Sequence, residues 1–234
     1  MPPADVAMFW QEDESNKEFR VPDDVVDVLF AIDCKRLPVD HAHALSEALR
    51  RALPWLAEEP GAAVHTVHVA GSQNGWERPA HGTDSHLILS RRTRLTIRVP
   101  KARIEPLIES LRGRTLDVAG CPLTVGEGRA RRLSSETTLF ARYVVARPGD
   151  DEDAFLAWAA GQLARMDIRV RKALCGKSTP LSAPDGPLTT RSLMLADLSN
   201  DESVRLQQVG LGPHRAMGCG IFIPHKGIDA VKSG

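Results

Sequence analysis

The sequence is short of several things, and each shortage removes a class of protein. Aromatic residues are 5% of the 234 positions, with a single tyrosine, which argues against binding through a stacking platform spread over an open sheet. Charge leans to neither sign, with 30 Lys and Arg against 30 Asp and Glu. Indiscriminate attraction to a polyanion or an anionic lipid surface needs a basic excess, so that behaviour is excluded. The four cysteines, Cys34, Cys121, Cys175 and Cys219, lie far apart and form no C-x-x-C pair. They build neither a disulfide framework nor a zinc ribbon, and read as reduced, buried thiols. No apolar run reaches the roughly 20 residues of a membrane span. Met1–Glu12 carries Asp5 and Glu12 where a secretory signal would be basic and then apolar. The expected compartment is the cytoplasm, with no membrane partner.

What is present is an ordinary globular mixture, 42% hydrophobic and 26% charged, long enough for two domains of about 100 residues. Residues 1–22 are polar and read as an extension. After them a pattern runs twice. In the first pass a strand is expected over 25–33, a helix from an Asp40 cap to Pro54, and a strand over 63–70. A polar loop at 71–83 follows, then strand at 86–90 and 93–99, a helix over 104–111, and two short strands across Gly120. Residues 127–136 show no periodicity and read as a linker. In the second pass come a strand over 139–146, a helix centred on Phe155–Met166 behind an acidic lead-in, and a strand over 168–174. A proline-rich connection at 178–187 leads to a strand over 188–198, a helix over 201–209 capped by Asn200, and a last strand over 220–224. The expected class is α+β: two tandem ferredoxin-like, RRM-like βαββαβ domains at 23–126 and 137–234.

The sharpest local feature is the glycine-rich loop 210–220, G-L-G-P-H-R-A-M-G-C-G. Four glycines allow close backbone approach to a ligand, and His214 and Arg215 add positive charge, which suits a phosphate backbone. A helix C-cap and tight turn would account for Gly210 but not for the second pair around Cys219. The second feature is L-P-V-D-H-A-H-A-L at 37–45. A histidine at a helix start stays neutral more easily, as a general base must at pH 7. His41 shares the inward stripe with Leu45, so it reads either as a packed core histidine or as a base. His43 shares the other face with Glu47 and Arg50. His65 and His68 point to opposite faces of one strand and cannot chelate together, so no metal site is expected.

Basic residues gather in three groups: Arg91, Arg92, Arg94, Arg98, Lys101 and Arg103; Arg129, Arg131 and Arg132; and Arg165, Arg169, Arg171, Lys172 and Lys177. The acids concentrate elsewhere, in 5–27, 58–59, 150–153 and 197–202. Segregation of this kind builds a basic groove at zero net charge.

Together these features resemble the CRISPR-associated protein 6 family, endoribonucleases that cut CRISPR repeat transcripts into guide RNAs. The motifs that carry the resemblance are L-P-V-D-H-A-H-A-L at 37–45, S-R-R-T-R-L-T-I-R-V-P at 90–100 and T-L-D-V-A-G-C-P-L-T-V-G at 115–126. R-V-R-K-A-L-C-G at 169–176 and G-C-G-I-F-I-P-H-K-G at 218–227 add to it. They look like the subgroup called the Myxan-type variant. The resemblance implies metal- and cofactor-independent cleavage by a ribose 2′-OH, leaving 2′,3′-cyclic phosphate and 5′-OH ends. It implies His41 as first candidate base and His43 as second, with Lys35 as an electrostatic partner. RNA contacts would come from Gly210, Gly212, His214, Arg215, Gly218 and Gly220, and from Arg91, Arg92, Arg94 and Arg98. Arg131, Arg132, Arg171 and Lys172 join them from the other basic groups. The implied partners are repeat RNA and other subunits of a Cascade-like effector complex. A non-catalytic RNA-binding subunit is the alternative.

Overall fold

The computed structural model describes residues 19–68 and 85–225. The expected loop at 71–83, most of the expected N-terminal extension and the end of the 63–70 strand lie outside them. The elements in chain order are β1 (Val25–Asp33), β2 (Arg36–Pro38), α1 (Ala42–Ala52), β3 (Ala63–Val64), β4 (His86–Ile88), β5 (Arg94–Pro100), α2 (Ile104–Leu111), β6 (Thr115–Val118) and β7 (Cys121–Arg132). They continue as β8 (Leu139–Val145), α3 (Glu152–Ala164), β9 (Lys172–Leu181), β10 (Leu188–Ala196), α4 (Asn200–Val209) and β11 (Ile223–Pro224). The result is an α+β fold with four α-helices and three antiparallel sheets among the described residues.

The first sheet has the order β3-β5-β1-β7-β6, the second β11-β8-β10-β9, and β2 pairs with β4 alone. Alternation on β1 explains its central place. Val26, Val28 and Phe30 are buried against α1 and α2 with Leu95, Ile97, Leu49 and Leu107. Burying each such side chain is worth about 1.5–3 kcal/mol, so a register slip of one residue on β1 would forfeit the core face. The second core joins Leu139, Ala141, Leu193 and Leu195 to Phe155, Leu163 and Leu206.

Several expectations change. Residues 127–132 are not part of a linker: β7 runs unbroken to Arg132 and pairs with β1. Alternation is invisible there because its inward positions are small. A Cβ on Gly128 would stand 2.6 Å from the Phe30 ring and 3.1 Å from Ile108, so bulk comes from across the sheet. The second strand of the second half is shifted, spanning Lys172–Leu181 rather than 168–174. Pro180 is tolerated because β9 is an edge strand with an unpaired side. Asp40 does not cap α1. The cap position is His41, without a side-chain cap bond, and the Asp40 carboxylate accepts from Ser182 N–H at 2.9 Å instead.

Asn200 is not the cap of α4 either. Ser199 is, in a capping box whose Glu202 side chain accepts from Ser199 N–H at 2.7 Å. Glu202 also takes Arg169 N–H at 2.9 Å and the Arg171 guanidinium at 2.6 Å. Burial pushes its pKa up, but the bonds from Arg171, Ser199 and Arg169 outweigh this and hold it at about 2. A depressed carboxylate stabilises above its unfolded value and loses that contribution as pH falls toward the folded one. Thermal melts should therefore show a loss of stability between about pH 4.5 and 2 that is smaller in Glu202→Gln.

Candidate active site

The start of α1 lies at the seam between the two large sheets. Asp40 reaches Ser182 at the turn between β9 and β10. α1 and β3 both pack against the 3-10 turn Arg215–Met217 of the glycine-rich loop.

His41 is entirely buried there. Its Nδ1–H donates to Pro38 O at 2.8 Å, and its Nε2 accepts from Val67 N–H at 2.9 Å. This pairing fixes the neutral Nδ1–H tautomer and leaves no ring nitrogen for a substrate. The first candidate base is thus a structural bridge, contrary to expectation. It pins the start of α1 to 66–67, and Thr66 in turn lies against Gly218, where a Cβ would fall 2.6 Å from Thr66 Cγ2.

His43 is two residues further along α1, half-exposed, and makes no hydrogen bond with a described residue. Of the two helix-start histidines it alone meets the geometric demand on a base, which is access to the proton it takes. Lys35 is exposed on the turn leading to β2, where its carbonyl accepts from Leu89 N–H at 3.0 Å.

The glycine loop closes on itself. Leu211 N–H donates to Gly220 O at 3.0 Å and Gly220 N–H to Tyr143 O at 2.6 Å. Gly220 has φ +65°, and a Cβ there would collide with the Leu211 carbonyl. Gly210, Gly218 and Gly220 are buried, so packing accounts for them and a phosphate backbone cannot reach them. The reachable tip is Gly212–Pro213–His214, with His214 in the left-handed region at φ 63°. Arg215 folds back, capping α4 through Val209 O and reaching Gly61 O at 3.5 Å. Burial, with Arg98 nearby, pushes its pKa down to about 10.

Arg98 is likewise unavailable to RNA. It is 0% exposed and forms a fork onto Asp27 at 2.8 and 3.2 Å. Its third nitrogen donates to Gln207 O at 2.5 Å and Phe222 O at 3.3 Å, so one guanidinium ties the first sheet to the second half. The Asp27 carboxylate is raised by burial but held well below the ordinary range by His65 and Arg98. His65 Nε2 lies 3.3 Å from Asp27, and burial pushes that imidazole down.

The other basic residues are exposed in two places. On β5 and β7 the register sets Arg94 opposite Ala31, Arg129 opposite Leu29 and Arg131 opposite Asp27, so all three share the outer face of the first sheet. Arg91 and Arg92 extend it at the turn before β5. Arg132 points the other way, 4.0 Å from Asp23. Arg171 and Lys172, at the edge of the second sheet, are paired with Glu202 at 2.6 Å and Asp197 at 2.9 Å. Among the described residues no three His, Cys, Asp or Glu side chains gather as a metal set, and no helix is long and apolar enough to cross a membrane.

Comparison with known proteins decides the family. The family model described as Cas6 Crispr matches residues 26–227. The chain belongs to the Cas6 family. A curated relative, the CRISPR-associated endonuclease Cas6 of Myxococcus xanthus, is 31% identical over 199 residues, covering 85% of this chain and 81% of that protein. The fold is shared with a solved Cas6-related protein from Pyrococcus furiosus, at TM-score 0.58 and 15% identity over 85% of this chain and 97% of that one. It is shared also with a structure described as an RAMP protein binding different RNA substrates, at TM-score 0.56 and 14% identity over 86% and 99%. Within this Cas6-family chain, Arg129 is an exposed cation on the same face as Arg94 and Arg131 that site selection from sequence left out. Its signal was the period-two spacing of Glu127, Arg129 and Arg131, which continues the outward face of β7.

Proposed function

We propose that this chain is a metal-independent endoribonuclease that cuts CRISPR repeat transcripts into guide RNA. The observation that carries the reading is His43: half-exposed, without a hydrogen bond among the described residues, and two residues along from the buried His41 bridge on α1, the helix that packs against the glycine loop. His43 takes the proton of a ribose 2′-OH as that oxygen attacks the adjacent phosphorus. The bond to the 5′-oxygen breaks, and that oxygen takes a proton from solvent, giving a 5′-OH beside a 2′,3′-cyclic phosphate. The nucleophile is internal to the RNA, so no metal-bound water is called for. Lys35 and the exposed tip at Gly212 and His214 supply positive charge and N–H groups toward the phosphorane. Arg91, Arg92, Arg94, Arg129 and Arg131 grip phosphates on the outer face of the first sheet.

Each large sheet has the strand order of a split βαβ unit. This supports two ferredoxin-like domains, 23–126 and 137–234 in the sequence reading, with the join narrowed by the reach of β7 to 133–136. The product hairpin remains bound, and the protein serves as a subunit of a Cascade-like effector complex.

The test is incubation with the repeat RNA of its own array in excess EDTA. Cleavage should persist, give cyclic phosphate ends, and stop when the scissile nucleotide is 2′-deoxy. Cleavage that disappears with EDTA overturns the mechanism, and RNA that is bound but stays intact makes the chain a binding subunit.

A further inference from the structure

The outer face of the second sheet holds a group of side chains that cleavage at the seam does not use. Both neighbours of β10 slip register beside the same residue. Arg191 faces Val144 of β8 and Ser178 of β9, while Leu193 faces Ala141 and Cys175. Ser192 therefore stands opposite two residues on each side, Arg142 with Tyr143 and Gly176 with Lys177. Paired bulges of this kind re-aim side chains. Gly176 makes room for the Ser192 hydroxyl, because a Cβ there would collide with Ser192 Oγ.

Arg142 is half-buried and Lys177 exposed, and neither makes an ion pair or hydrogen bond with a described residue. Burial lowers the Arg142 pKa. A cation drawn partly out of water with no counter-ion is unfavourable, and an anion from outside relieves that cost. The two cations flank β10 across two strand spacings, about 10 Å, a span that neighbouring phosphates of one strand can cover. The next row across the same face is apolar: Ile223, Phe140, Met194 and Leu174 stand side by side on the four strands, with Phe140 buried beside the His225 ring and the two edge residues exposed. Leu174 is 55% and Ile223 38% exposed. The unpaired positive charge favours a polyanion over an apolar protein segment.

We propose that Arg142, Lys177 and Ser192 form a phosphate-binding site on the outer face of the second sheet that takes the backbone of a single-stranded RNA segment, with the exposed Leu174 at the β9 edge beside it. The site deepens the RNA-processing reading and rests on it for its ligand class. The experiment is fluorescence anisotropy of the full chain with a labelled twelve-nucleotide oligouridine and with a twelve-pair RNA duplex, between about 50 and 200 mM salt. Arg142→Gln/Lys177→Glu should bind the oligouridine about tenfold more weakly, with its salt slope reduced by about 1.4, the value for two lost single-strand phosphate contacts. Duplex binding should change less. Lys177→Glu alone touches no core residue, so it keeps the parent melting temperature and weakens the oligouridine about threefold. Oligouridine binding that equals the parent's in both variants overturns the site, including where a variant has lost a protein partner instead. Weakened oligouridine binding in a chain that never cuts repeat RNA upholds the site and overturns the nuclease reading alone.

Discussion

His43→Ala is expected to slow single-turnover cleavage of repeat RNA by about 10²–10⁴-fold, the range for loss of a positioned general base. Binding and melting temperature should stay near those of the parent, because His43 bonds none of the described residues and faces solvent in part. His41→Ala separates the two histidines. It leaves Pro38 O and Val67 N–H buried without their partner, which costs about 1–3 kcal/mol of stability. Its cleavage defect should therefore come with a lowered melting temperature, and His41→Asn, which can still donate to Pro38 O, should recover part of both. A His43→Ala protein that cuts at the parent rate removes His43 from the mechanism. A His41→Ala protein that is inactive yet as stable as the parent would restore His41 as the base.

Arg98→Met should destabilise the fold by about 3–5 kcal/mol, read as the urea midpoint, because it strands a buried Asp27 carboxylate. The double variant Asp27→Leu/Arg98→Met should recover much of the loss, since apolar pairs often replace buried ion pairs at little cost. The deficit that remains measures the bonds to Gln207 O and Phe222 O. The pH dependence has a definite sign. Asp27 is held below its ordinary value of 3.8, so its contribution is complete above that value and fades on acidification below it. The parent should lose stability there more steeply than the double variant. Equal slopes would mean that Asp27 is not held ionised by its neighbours.

The sequence announced most elements because their inward positions are large and regularly spaced, as on β1 and α1. It failed where the inward positions are small or the backbone is at an edge. β7 looked like a linker because Gly128 makes way for Phe30 and Ile108. β9 looked broken because Pro180 sits where only an edge strand can hold it. The active-site region was legible as a segment but not residue by residue. Both histidines were visible at the start of α1, and their order of merit was reversed by Val67, a partner 26 residues away. Arg98 read as an RNA contact because Arg94 and Arg98 share one strand. Its commitment to Gln207 O, 109 residues along the chain, is a fact of tertiary assembly that no local pattern encodes.

The closed glycine loop has a thermodynamic consequence. Ordering a free backbone costs about 1–2 kcal/mol per residue, and a glycine-rich segment would carry the largest share. Here that ordering is complete before any ligand arrives, through the bonds Leu211 to Gly220 and Gly220 to Tyr143. An RNA backbone docking on the tip at Gly212–His214 meets a preorganised surface, so its contacts translate into affinity with little entropic loss.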